Sequence, residues 1–96
     1  MDLQLKRTLN AAPVQYEGAI NGFSFYFRAR HQEWFFGVGA TLDAAIDADS
    51  EGGFFREGKW GHGPHEASYM PFSVAERIIQ KCAMEYLATL APEVGQ

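Results

Sequence analysis

The dipeptide Asn21-Gly22, flanked on both sides by alternating apolar residues, constrains this chain more than any other feature. A type I′ turn needs positive φ at both central positions, which Asn and Gly tolerate, so the pair predicts a two-residue β-hairpin. The turn sets the register: Ile20 faces Phe23, Gly18 faces Phe25 and Tyr16 faces Phe27. Val14, Tyr16, Ile20, Phe23, Phe25 and Phe27 then share one face, as a half-buried sheet requires.

A third strand is expected over Glu33–Val38. With His31-Gln32 as its turn, Ala29 faces Trp34, Phe27 faces Phe36 and Phe25 faces Val38, which extends the same buried face. His-Gln is poor turn chemistry, so a longer loop with a shifted register stays open. The opposite face collects Tyr26, Arg28, Arg30, Glu33 and Phe35. Further on, Thr41–Asp47 admits a short helix with Thr41 as N-cap, and Asp49–Gly53 reads as a turn or loop. Phe54–Trp60 reads as one more strand or as a hairpin around Glu57-Gly58. The Gly and Pro of Gly61–His65 leave only loop.

Ser73-Val74-Ala75-Glu76 has the form of a capping box. Val74, Ile78, Ile79, Cys82, Ala83, Tyr86, Leu87 and Leu90 follow at helical spacing, and Pro92 marks the end. Arg77, Gln80, Lys81, Met84 and Ala88 fall on the outward side. Together these elements predict an α+β domain: an antiparallel sheet of three to five strands with one C-terminal amphipathic helix on one face, and room for a second short helix. The 96 residues make one domain, 1–96, since a second would be too small to bury a core. Residues 1–12 show no clear pattern and are left as a segment that could be flexible or loosely packed.

The apolar residues are interspersed with charge, and no run approaches the roughly 20 residues of a membrane span. The start lacks the apolar stretch of a secretory signal, and Cys82 is the only cysteine, so the expected location is cytoplasmic. Cys82 lies in the helical stripe and reads as a small core residue. The formal net charge of -4 argues against direct nucleic-acid binding, which needs a basic face. That charge is uneven. No Lys or Arg occurs between Arg30 and Arg56, while Glu33, Asp43, Asp47, Asp49 and Glu51 all fall there.

Candidate chemistry is sparse. His62 and His65 stand three apart with Glu66 adjacent, but a Gly-Pro between them gives no face to align them, and zinc needs three or four converging ligands. Asp47-x-Asp49-x-Glu51-Gly52 resembles the first half of an EF-hand loop, yet the closing bidentate Glu would fall at position 58, which is Gly58. Ser24, Ser50, Ser68 and Ser73 lack a nucleophile context, and Gly37-Val38-Gly39 and Gly61-His62-Gly63 lack the frame of a phosphate-binding loop. No catalytic residue, metal site or cofactor is therefore expected. Two surface features remain as candidate contacts for a protein partner. The first is the acidic group Asp43, Asp47, Asp49 and Glu51, suited to a basic partner. The second is Tyr26, Arg28 and Phe35, residue types favoured at interface centres, unless another element such as Phe54–Trp60 covers them.

The stretches Gln15–Arg30 and Ala67–Pro71 resemble small proteins encoded by phages and mobile elements of bacteria, and among these the anti-CRISPR proteins directed at type I systems. The resemblance implies a non-enzymatic inhibitor. It would bind a nucleic-acid-binding subunit of a bacterial type I CRISPR surveillance complex and block DNA recognition or assembly, with the acidic group as a DNA mimic. A monomer is expected before a dimer. Two alternatives stay open: a small metal- or ligand-dependent enzyme using His62, His65 and Glu66, and a self-associating module using Tyr26, Arg28 and Phe35.

Overall fold

A computed structural model describes residues 2–8 and 14–90. Five strands form one antiparallel sheet in chain order: β1 (Leu3–Arg7), β2 (Val14–Ile20), β3 (Phe23–Arg30), β4 (Glu33–Gly39) and β5 (Phe54–Lys59). A short helix α1 (Leu42–Ile46) lies between β4 and β5, and a 3-10 turn (Glu66–Tyr69) leads into α2 (Phe72–Leu90). The fold is α+β, as the patterning implies.

The hairpin forms in the expected register, with Asn21 at φ 49° and Gly22 at φ 92°. Asn21 also ties down the N-terminal strand. Its side-chain Oδ1 accepts from the Asp2 N–H at 2.7 Å, and its own N–H donates to the Asp2 carbonyl at 2.8 Å. The segment read as flexible or loosely packed thus contains β1, paired with β2 along its length. Only Leu3 and Leu5 alternate there, too few to signal a strand; residues 9–12 lie outside the described residues.

The β3–β4 turn also keeps its simple register. His31 takes the left-handed conformation at φ 58°, which for a non-glycine residue costs on the order of 1 kcal/mol or more. Tertiary bonds hold it there. The His31 N–H donates to Ser68 Oγ at 2.8 Å, and the His31 carbonyl accepts from the Ala67 N–H at 2.8 Å. The Gln32 carbonyl accepts from the Trp60 N–H at 3.0 Å. The loop after β5 therefore grips the turn and supplies what the His-Gln sequence lacks. Phe54–Lys59 is one unbroken edge strand and not a hairpin, because Gly58 stays in register opposite Trp34. A Cβ on Gly58 would sit 2.8 Å from the Trp34 indole.

One face of the sheet carries the core. Tyr16, Ile20, Phe25, Phe27 and Phe36 meet Ile79, Cys82, Ala83 and Tyr86 of α2, with Ala67 and Met70 sealing the end. Phe23, expected on this face, is at the hairpin tip and remains 43% exposed, its ring meeting the edge of Tyr86. The capping box does not form. The helix starts at Phe72, and the Pro71 carbonyl accepts from the N–H groups of Val74 and Ala75. Ser73 is then already the second helical residue, and Glu76 is too far along to reach a free N–H. Glu76 turns down instead. Its Oε2 accepts from the Tyr16 hydroxyl at 2.6 Å, fastening helix to sheet across 60 residues of chain.

Replacing Tyr16 by Phe is expected to lower stability by about 1–2 kcal/mol with the fold retained, since it leaves Glu76 without its buried donor; denaturant unfolding measures this. A second expectation concerns alkali. Burial first, and the nearby Glu85 carboxylate second, push the Cys82 thiol up to about 11 from 9.0. A raised pKa stabilises the fold fully below the unfolded value and loses that contribution as pH climbs through the folded one. The melting temperature should therefore fall as pH rises from 9 toward 11, and Cys82→Ala should flatten the part of that fall below pH 10, before tyrosines ionise.

Candidate interaction face

The second face of the sheet is covered by a smaller element, and glycine decides how. Gly37 and Gly39 lie on β4 beneath α1. A Cβ on Gly37 would overlap the Ala45 carbonyl oxygen, and one on Gly39 would sit 2.6 Å from the Ala44 Cβ. The backbone of α1 thus rests directly on β4. Ala45 and Ala48, both fully buried, form its underside. The Thr41 side chain accepts from the Ala44 N–H at 3.2 Å, the expected N-cap. At the other end the Asp47 carbonyl accepts from the N–H groups of Ser50 and Glu51 and from Ser50 Oγ. The Gly53 N–H closes the turn on the Ala48 carbonyl, with Gly52 at φ 75°.

This anchoring fixes what points outward. Asp43, Asp47, Asp49 and Glu51 are all exposed, and Ile46 is 38% exposed among them. Among the described residues the one ion pair within 4 Å is Arg56–Glu85, on the far side of the sheet, so none of the four carboxylates is ion-paired at that distance. The result is an acidic segment held to a rigid sheet, with one apolar side chain at its middle. Sequence reasoning missed Ile46, which helical spacing would place with the packed residues.

The aromatic and basic candidates on this face divide. Tyr26 is buried at 9% exposure and is not a free contact. Phe35 is half-buried and stacks on Phe55 of β5, ring centroids 6.1 Å apart at 20°. Arg28, Arg30, Glu33, Phe35 and Glu57 line a groove of about 180 Å³ whose far wall includes Asp49. The two surface features that the sequence kept separate therefore meet at Asp49.

The other candidates scatter. Glu66 Oε1 accepts from the His62 backbone N–H at 2.8 Å and closes the Gly61–Gly63 loop, so its carboxylate serves the backbone and not a histidine ring. The His65 ring meets His31, Nδ1 to Nδ1 at 3.5 Å. Among the described residues no three His, Cys, Asp or Glu side chains converge as a metal site. The EF-hand-like run is a helical turn, with Asp47 bonded through its carbonyl to its own chain. Met84 is 63% exposed on the outer side of α2. No described helix is long and apolar enough to cross a membrane. Comparison with protein-family models, with curated proteins and with solved structures returned no match.

Gly37→Ala is expected to destabilise the domain by about 1–3 kcal/mol. It should also loosen the acidic segment selectively, seen as faster amide exchange at Ala45 and Ala48 while β2 and β3 keep their protection.

Proposed function

We propose that the protein acts by binding a basic surface on a nucleic-acid-handling protein, and that it does so without chemistry of its own. The observation that carries this reading is the acidic segment over residues 41–53. Four exposed carboxylates sit on a short helix and turn that are capped, hydrogen-bonded and pressed onto the sheet, and among the described residues none of the four is ion-paired within 4 Å. A rigid charged surface loses little conformational entropy on docking. Its exposed negative charge both steers encounter and gains by pairing.

Carboxylates held in this way can occupy positions that phosphates take on a DNA-binding protein. Ile46 adds an apolar anchor within the charged rim, and the groove along Arg28 and Phe35 extends the contact beyond Asp49. The resemblance of Gln15–Arg30 and Ala67–Pro71 to type I anti-CRISPR proteins makes a DNA-binding subunit of a type I surveillance complex the first partner to try. In this reading the protein is a stoichiometric inhibitor that blocks DNA access or assembly.

The test is direct binding to a purified type I effector complex at several salt concentrations. The parent protein should bind, and binding should weaken as salt rises. The quadruple variant Asp43→Lys, Asp47→Lys, Asp49→Lys, Glu51→Lys should bind at least about tenfold more weakly and with the salt dependence reduced or reversed. Equal binding by parent and variant would remove the acidic segment from the interface, and no binding by either would remove the partner.

A further inference from the structure

A second locus lies at the opposite end of the β3–β4 hairpin from the Asn21-Gly22 turn, where His31 also borders the groove that reaches Asp49. His31 and His65 are 34 residues apart in sequence, yet their Nδ1 atoms approach to 3.5 Å. The rings do not stack. Their centroids are 5.6 Å apart at 53°, about 2 Å farther apart than the nitrogens, so the rings meet Nδ1 edge first. At 3.5 Å the contact is long for a nitrogen–nitrogen hydrogen bond, since well-made bonds fall near 2.7–3.2 Å. It matches a different arrangement. Two nitrogens each about 2.05 Å from one tetrahedral ion sit about 3.3 Å apart.

We propose that His31 and His65 form a two-imidazole binding site for a divalent transition-metal ion, both rings coordinating through Nδ1 with the proton on Nε2. Both side chains are exposed, so an ion and its remaining water ligands have access. The backbone positions are set before any ion arrives. His31 is held at φ 58° by its bonds to Ser68 and Ala67, and the 3-10 turn that begins at Glu66 carries both of those residues just after His65. Two neutral nitrogen ligands favour copper, nickel and zinc over magnesium and calcium, which prefer carboxylate oxygen, and copper should bind tightest. With only two protein ligands the site holds its ion more weakly than a structural zinc centre. What the ion would do is mechanical: it would pin the 3-10 turn, and with it the approach to α2, to the tip of the sheet.

The experiment is a metal titration of the full chain followed by thermal unfolding and, for copper, by paramagnetic resonance. Cu²⁺, Ni²⁺ or Zn²⁺ near saturation should raise the melting temperature by at least about 5 °C, while Mg²⁺ should not. The copper spectrum should report two nitrogen ligands. His31→Asn keeps a residue that tolerates the left-handed turn; it and His65→Gln should each abolish the shift while remaining folded. His62→Ala and Cys82→Ala should keep it. No shift with any of the three ions overturns the proposal. So does a shift that survives His31→Asn and His65→Gln, or one that His62→Ala alone removes.

Discussion

Everything in this domain depends on the register of β3 against its two neighbours. Because side chains alternate, that register sends Phe25 and Phe27 to one face and Tyr26 and Arg28 to the other. A slip of one residue would exchange the two sets and bury an arginine in place of a phenylalanine. The register is fixed at both ends of β3 by different means. At the Asn21-Gly22 end the local sequence suffices. At the His31 end the conformation is unfavourable alone and is held by Trp60, Ala67 and Ser68, which arrive from far along the chain.

The two faces are then built on opposite packing logic. One is filled by large aromatics beneath a 19-residue helix, with Tyr16 spanning the layer to reach Glu76. The other is deliberately shallow. Gly37 and Gly39 remove side chains so that the five-residue helix α1 can sit on bare backbone, with Ala45 and, just after the helix, Ala48 fully buried beneath. A helix so short could not stand by its own propensity. It is the close approach that makes the segment rigid, and the rigidity that turns four ordinary carboxylates into a defined surface.

Much of the fold was legible from local chemistry. Period-two alternation gave β2, β3 and β4, and the apolar stripe gave α2, because in each the pattern extends over seven or more residues. Thr41 announced α1 through a side-chain cap that needs only its own neighbours. What escaped was whatever depended on distant partners. Glu76 sits in the right spacing for a capping box, but a buried tyrosine hydroxyl 60 residues away is the partner it takes. β1 has too few apolar residues to declare itself and exists because β2 offers it an edge. The site was legible in part: the acidic run was visible as composition, whereas Ile46 at its centre, its junction with the Arg28 groove, and the meeting of His31 with His65 all required the folded chain.

The strand order β1-β2-β3-β4-β5 carries a kinetic consequence. Every strand pairs with its sequence neighbour, so the β2–β3 and β3–β4 pairings close two-residue turns, and the longest connection to be spanned, between β4 and β5, is the one that carries α1. The tight Asn21-Gly22 turn is the natural nucleus, and the sheet grows outward from it in both directions. The connection that spans most of the chain, from Tyr16 to Glu76, is made once the sheet presents a surface for α2 to land on. Until then the aromatic face lies open, so the interval before helix docking is when this chain is most exposed to its own copies.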